Sequence, residues 1–207
     1  MQENGIRINK YLSEAGVCSR READRQVELG NVSIDGKTAE TGARVLEGQT
    51  VCYCGKPISK EQEMILLAFH KPVGIVCTAE KREKNNVIDY LKYPKRIYPV
   101  GRLDKDSEGL LLMTNNGEIV NKIMRAGNRH EKEYLVTVNK PVTDSFILGM
   151  AGGVPLVELG TQTRKCKVEK TGKRQFRIIL TQGLNRQIRR MCEYFGYRVE
   201  KLVRVRM

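Results

Sequence analysis

Apolar runs long enough to cross a bilayer are absent from this 207-residue chain. The opening Met1-Gln2-Glu3-Asn4-Gly5 also lacks the basic-then-apolar pattern of a secretory signal. Histidine is scarce, with His70 and His130 the two present. Cys52 and Cys54 stand two positions apart with no second such pair, too few ligands to close a zinc site. The six cysteines, at 18, 52, 54, 77, 166 and 192, are scattered. Without an export signal they are expected as reduced thiols, which points to the cytoplasm. There is no GxxxxGK[ST] and no strand-linked GxGxxG, so a nucleotide cofactor has no sequence handle. Two histidines leave room for a Ser–His–Asp triad, but no nucleophile-elbow motif accompanies them. No internal repeat or low-complexity tract is present. No metal and no cofactor are therefore expected.

What the chain has in surplus is positive charge. A net +13 and a pI near 9.6 make a polyanion, RNA or DNA before a membrane surface, the first partner to consider. The surplus is uneven. Residues 1–56 hold eight Lys/Arg against eight Asp/Glu, and of 37 basic and 24 acidic residues in total, 29 and 16 remain for the rest. The length and the 40% hydrophobic, 29% charged composition suit a folded core of one or two domains.

In the first fifty residues, Ile8, Leu12 and Ala15 share a helical face that stops at Gly16. Ser19-Arg20-Arg21-Glu22 is a capping box for a second helix, with Ala23 and Val27 inward and Gly30 as its stop. Val32 to Lys37 reads as a strand entering an Asp-Gly hairpin, and Gly48 to Cys54 as another short strand. Arg20, Arg21 and Arg25 fall at or near the start of the second helix, where free backbone N–H groups favour phosphate. The blocks R-x-N-K-Y-L, S-R-R-E-A and G-N-V-x-I-D-G-K, in order from Arg7 to about Cys54, resemble the small RNA-binding module named after ribosomal protein S4. That resemblance implies RNA-backbone contacts from Arg7, Lys10, Ser19, Arg20, Arg21 and Lys37.

The division expected is a module over 1–56, a linker over 57–63 and a larger domain over 64–207. Within the larger domain we expect a strand at Met64–Phe69, a turn at Lys71-Pro72-Val73-Gly74, and strand again at Ile75–Cys77. A short helix at Val87–Leu91 and a strand at Ile97–Val100 lead to the stretch Gly101–Gly117. There a polar loop carrying Arg102, Asp104, Lys105, Asp106 and Glu108 precedes Leu110–Met113, which reads as a strand buried on both faces. A helix from Glu118 to Ala126 closed by Gly127 follows, then a strand at Tyr134–Val138 and a helix capped by Thr143. Strands near 163–169 and 175–180, a helix over 185–195 and a last strand over 197–206 complete the reading. The class is α+β with a largely antiparallel sheet.

Lys71-Pro72-x-Gly74, G-R-L-D-x-D-S-x-G-L-L-x-x-T-N-x-G, E-K-x-Y ending at Tyr134, and G-x-N-R-Q-I-R-R-M together resemble the RsuA/RluB/RluE/RluF family of pseudouridine synthases. Further stretches are closest to a member acting on large-subunit (23S) ribosomal RNA. The resemblance implies isomerisation of uridine without a cofactor. Asp104 matches the catalytic aspartate, Tyr134 the aromatic residue packing on the target base, Arg189 the aspartate's basic partner, and Leu184 an apolar pocket residue. An aspartate beside a guanidinium is held ionised, and a flat ring suits an extruded base. Arg102 could fill the gap left by that base. Asn185, Arg186 and Arg190 are expected on phosphate. Asp106 is expected to organise the loop, and Lys71 either to orient it within the pocket or merely to top a turn.

By spacing alone Tyr134 reads as a core residue, and Arg186 and Arg190 as a solvated face. The family continues for a strand and turn past the position of Met207, which suggests a truncated piece or a short variant and leaves the C-terminal sheet edge open. The partner implied is a structured RNA, a 23S stem-loop with transfer RNA as a second candidate, engaged by a monomer with no membrane and no nucleotide cofactor. Two rivals stand beside this reading. One is a non-catalytic RNA-binding ribosome-assembly factor. The other is a magnesium-dependent hydrolase using Asp104 and Asp106.

Overall fold

The computed structural model describes residues 5–60, 63–80, 82–124 and 130–207. The chain divides into two compact units. One comprises Met1–Ile65 with Tyr93–Ile97 and Asn115–Gly117, the other Leu66–Lys92, Tyr98–Thr114 and Glu118–Met207.

The first unit runs β1 (Ile6–Arg7), α1 (Ile8–Glu14), α2 (Arg20–Glu28), β2 (Val32–Ile34), β3 (Lys37–Thr38), β4 (Arg44–Val45), β5 (Val51–Tyr53) and β6 (Lys56–Ile58). The Ser19 side chain accepts from the Glu22 N–H at 3.3 Å, so the Ser19 half of the capping box forms, while Glu22 does not reach back to the Ser19 N–H. The Glu22 carboxylate takes Gln26 Nε2 at 2.7 Å. Ile8, Leu12, Ala23, Val27, Val32 and Val51 form the core. The Asp35-Gly36 hairpin forms with both residues at positive φ, which the paired primed turn demands. Where a linker was expected, β6 instead pairs with β5 across a second hairpin turned at Cys54-Gly55. Pro57 is tolerated there because β6 is an edge strand.

The second unit contains β7 (Leu66–Lys71), α3 (Val87–Leu91), β8 (Tyr98–Pro99), β9 (Glu108–Thr114), α4 (Gly117–Met124), β10 (Lys132–Val138), α5 (Asp144–Gly152), β11 (Pro155–Leu156), β12 (Thr161–Gln162), β13 (Lys167–Gly172), β14 (Gln175–Leu180), α6 (Gln187–Tyr194) and β15 (Val199–Arg206). Gly127 lies outside the described residues. Among those described, the main sheet has seven strands in the order β13-β14-β10-β15-β9-β7, with β8 against β9. Its pairs are antiparallel except β15 with β9. The fold is thus α+β with a mainly antiparallel sheet.

Two details differ from the reading of the sequence, and a third fills in what it left open. Ile75–Cys77 is not a strand: beyond Pro72 and the Gly74 turn, Val76 makes only an isolated bridge to Asn86. Strand β9 alternates, Leu111 and Met113 sealed and Leu110 and Leu112 half-buried, rather than being buried on both faces. The last strand lies inside the sheet and not at its edge.

The α5 cap is as expected, Thr143 Oγ1 accepting from the Phe146 N–H at 3.2 Å. Phe146, Met150, Phe176, Ile178, Met191 and Leu202 belong to the core, which lies between the sheet and helices α5 and α6.

The parallel pair depends on Gly109. At φ +108°, a Cβ there would lie 2.7 Å from the Arg204 backbone nitrogen and closer still to its carbonyl oxygen. Gly109→Ala should therefore destabilise the fold by about 3 kcal/mol, because neither backbone can retreat. Urea unfolding of the two proteins measures this.

Candidate active site

The polar loop between β8 and β9 has little secondary structure of its own and is held by contacts from outside. The Ser107 N–H donates to the Asp104 carbonyl at 3.1 Å, closing a turn over Lys105 and Asp106, and the Gly74 N–H donates to the Lys105 carbonyl at 2.7 Å. Beneath the turn lies Lys71, fully buried at the end of β7. Its Nζ donates to the carbonyls of Ser107 at 2.7 Å and Pro72 at 2.8 Å. Burial pushes the Lys71 ammonium pKa down, against the opposing pull of Cys77, Asp104, Asp106 and Glu108. Lys71 is not a wall of the pocket. It anchors the loop from below, because its head is spent on two carbonyls.

Two arginines approach from the other side. Arg186 caps α6 in the left-handed conformation, φ +49°, which swings its side chain over the loop. Its Nη1 and Nη2 donate to the two carboxylate oxygens of Asp106 at 3.3 and 3.2 Å, and Nη1 lies 3.8 Å from Asp104 Oδ2. Arg189, one turn into the helix and 7% exposed, points into the protein. Its Nη2 donates to the Asp106 carbonyl at 2.8 Å and Ser107 Oγ at 3.3 Å. Its Nε is 3.3 Å from Asp106 Oδ2 without a hydrogen-bond geometry.

The expected pairing of Arg189 with Asp104 is therefore corrected: Arg189 holds Asp106, and Arg186, expected on phosphate, is the guanidinium beside Asp104. The cause is the position of the helix start, at Gln187 rather than Asn185. Arg190 is engaged as well, by Glu158 and by the Asn185 carbonyl at 3.2 Å. For Asp106, burial pushes the carboxyl pKa up, but the Arg186 hydrogen bond and the charges of Arg189 and Arg186 outweigh it and hold it below the usual carboxylate range. Both Asp106 oxygens therefore face guanidinium groups.

The loop, α6 and the ends of β10, β14 and β15 enclose a cleft of about 610 Å³. Asp104, Arg102, Tyr134, Leu184, Arg186 and Arg189 all line it. Tyr134 is half-buried and rests on the core, so it is both the core residue that spacing suggests and a wall of the cleft. Burial raises its phenol pKa, Arg204 opposes, and Asp104 adds to the rise. Two further cleft residues were not singled out from the sequence, Lys132 and Arg204. The signal for Lys132 was available, since residues two apart on a strand share a face and Tyr134 is two away.

In the other unit, Arg20 and Arg21 are exposed in the first turn of α2, whereas Arg25 lies in its last turn. Arg7 and Lys37 are exposed, Lys10 pairs with Glu14 at 3.4 Å, and the Ser19 hydroxyl is occupied as a cap.

A family profile for RNA pseudouridylate synthase matches residues 65–194, and one for the S4 domain matches residues 6–51. The chain is 57% identical over 209 residues to the dual-specificity RNA pseudouridine synthase RluF of Salmonella typhi, covering all of this chain and 72% of that protein. It is 34% identical over 205 residues to the ribosomal large subunit pseudouridine synthase B of Bacillus subtilis (strain 168), covering 96% and 84%. A pseudouridylate synthase crystal structure shares the fold with a TM-score of 0.67 at 24% identity, over 96% of this chain and 87% of that one.

The lowered Asp106 pKa makes part of the stability depend on acid. The folded carboxyl titrates below its ordinary 3.8, so the stabilisation is present above that value and is lost as pH falls through the folded pKa. Relative to Asp106→Asn, the native chain should hold a constant advantage above about pH 5 and lose it progressively below 3.8. Urea midpoints of both proteins across that range check the sign.

Proposed function

The chain belongs to the RNA pseudouridylate synthase family, and on that premise we propose that it isomerises uridine to pseudouridine in large-subunit ribosomal RNA with Asp104 as the reacting carboxylate. The observation that carries the assignment is the contrast between the two loop aspartates. Asp106 is locked by a two-pronged guanidinium contact. The Asp104 side chain lines the cleft and, among the described residues, has only a loose approach from Arg186 at 3.8 Å. A carboxylate free to reach a ribose is one that its neighbours have not consumed.

The reaction breaks the bond from ribose C1′ to uracil N1, forms one from C1′ to C5, removes the proton on C5 and leaves one on N1. Nothing is oxidised or reduced. Asp104 acts at the ribose or as the base that takes the proton. Tyr134 and Leu184 supply the flat apolar walls for a base turned out of its stack, and exposed Arg102 fills the space it leaves. Arg189 is a positioning residue, since it holds the turn that presents Asp104.

The same proposal assigns the module, closed by β6 at Ile58, to orienting a structured RNA, the segment 59–63 to connecting it, and 64–207 to the chemistry. Support comes from the S4-domain match and from the even charge balance of the module, which suits a local contact face. We further propose a monomer in the cytoplasm acting on a 23S stem-loop, with transfer RNA as a second substrate. The dual specificity in the name of the Salmonella relative supports a second substrate.

Two outcomes follow. Asp104→Asn keeps the side-chain shape and should leave folding and RNA affinity intact while abolishing pseudouridine formation, read by tritium release from 5-tritiated uridine in ribosomal RNA. Activity that persisted in the variant and needed magnesium would discard the mechanism. Replacing Arg20 and Arg21 together with alanine should weaken RNA binding and flatten its logarithmic salt dependence by about two phosphate contacts, with the saturated rate unchanged. An unaltered slope would make both a merely solvated face.

A further inference from the structure

Strand β10 presents one face to the core and lets it run out into the cleft. Val138 and Val136 are sealed, and Tyr134 and Lys132 follow on the same face as cleft residues. The acids beside Lys132 go the other way. Glu133 accepts from Arg206 at 2.8 Å and from Arg177 at 3.3 Å, and Glu131 accepts from Arg206 at 2.9 Å. A register slip between β10 and β15 produces this division: Tyr134 lies opposite Arg204 and Glu133 opposite Arg206, with Val205 left over. The bulge sends two arginines that are two apart to opposite faces.

Lys132 is thereby left without a carboxylate. Among the described residues its side chain has no hydrogen bond or ion pair, and the charged neighbour it feels is Arg204, another cation. Arg204 is 2% exposed. Its Nε donates to the Leu110 carbonyl at 2.7 Å and Nη1 to the Arg102 carbonyl at 3.4 Å, and the group lies beside the Tyr134 phenol, while the buried Nη2 has no well-formed hydrogen bond among the described residues. Burial pushes the Lys132 pKa down and the Arg204 charge adds to it. Two cations on one wall, without a counter-ion and beside Leu180 and Leu202, cost free energy unless an anion joins them.

We infer that Lys132, backed by Arg204, receives the negative charge that develops on the uracil carbonyl oxygens as the base separates from its ribose. This rests on the uridine-isomerising reading above. When C1′–N1 breaks, the electron pair leaves with N1 and spreads over the ring onto O2 and O4. The Lys132 ammonium donates to one of these oxygens, and the charge is discharged as C5 bonds to C1′, its proton departs and N1 is protonated. A backbone phosphate is the other source of anionic oxygen in a bound RNA. The position favours the base, because Lys132 neighbours the ring-stacking Tyr134 and the apolar Leu180 and Leu202, a wall fitted to a flat ring rather than a hydrated phosphate.

The test is Lys132→Met in the full chain, with Lys132→Gln serving if the first variant melts below the parent. Tritium release from a large-subunit ribosomal RNA transcript carrying 5-tritiated uridine is followed at saturating protein in a single turnover, and filter binding gives affinity and salt slope for the same RNA. The expected result is a roughly hundredfold slower saturated rate, the scale of losing one preorganised donor at a developing oxyanion. Affinity should change less than about twofold, and Lys132→Arg should recover part of the rate. A saturated rate equal to the parent's, with weaker binding and a shallower salt slope, would overturn the inference and make Lys132 a phosphate contact. Absence of tritium release from the parent chain would instead sink the isomerase reading and this inference with it.

Discussion

The site depends on cations spent on backbone carbonyls. Lys71 from below and Arg189 from the side place their charged groups on the Ser107 and Asp106 carbonyls, at 2.7 and 2.8 Å. Both side chains are buried. Removing an ammonium or guanidinium from water costs several kcal/mol, while each hydrogen bond to a charged group returns roughly 1.5–3 kcal/mol. Such contacts are weak as devices for stability. They are strong as devices for geometry, because breaking one strands a buried charge. A loop too short and polar to pack on its own is thus fixed in one conformation by residues about 30 positions before it and 80 positions after it in sequence.

The sheet supplies the second half of that geometry. Because β15 runs parallel to β9 and inside the sheet, the end of the chain passes directly beside the start of the loop strand. The close approach at Gly109 lets Arg204 reach the Leu110 and Arg102 carbonyls. The same strand pairs with β10, so Tyr134 and Arg204 face each other across it. One glycine and one bulge therefore decide which side chains meet in the cleft.

Much of this was legible in the sequence and some could not have been. Caps at Ser19 and Thr143 and the Asp35-Gly36 turn are local chemistry, set by side chains within three residues of their targets, and they form as read. The Cys54-Gly55 hairpin was missed because its second strand contains Pro57 and is too short for periodicity. The apolar run Leu110–Met113 suggested burial on both faces, yet the packing on its two sides is unequal. The exchange of roles between Arg186 and Arg189 turns on a single residue adopting positive φ. An arginine carries no local signal for that conformation, which glycine or asparagine would have advertised. The role of Lys132, visible in the sequence only as a motif residue near Tyr134, and that of Arg204 escaped for a different reason. Their meaning lies in what fails to accompany them, and a missing counter-ion is a property of three strands and a bulge.

The charge distribution can be followed from composition to site. The surplus of basic residues belongs to the part of the chain after the first 56, and within it the surplus is not a uniform coat. Arg177 and Arg206 are consumed by Glu133, Glu169 and Glu131 on the sheet face away from the cleft. Lys71 and Arg189 are consumed by the loop. Lys132 and Arg204, which have no anionic partner among the described residues, line the same cleft as Asp104, the carboxylate proposed to react. Neutralising Lys132 with a nearby carboxylate would stabilise the empty protein and remove the field that a charged transition state needs, so the unpaired state has a reason to persist.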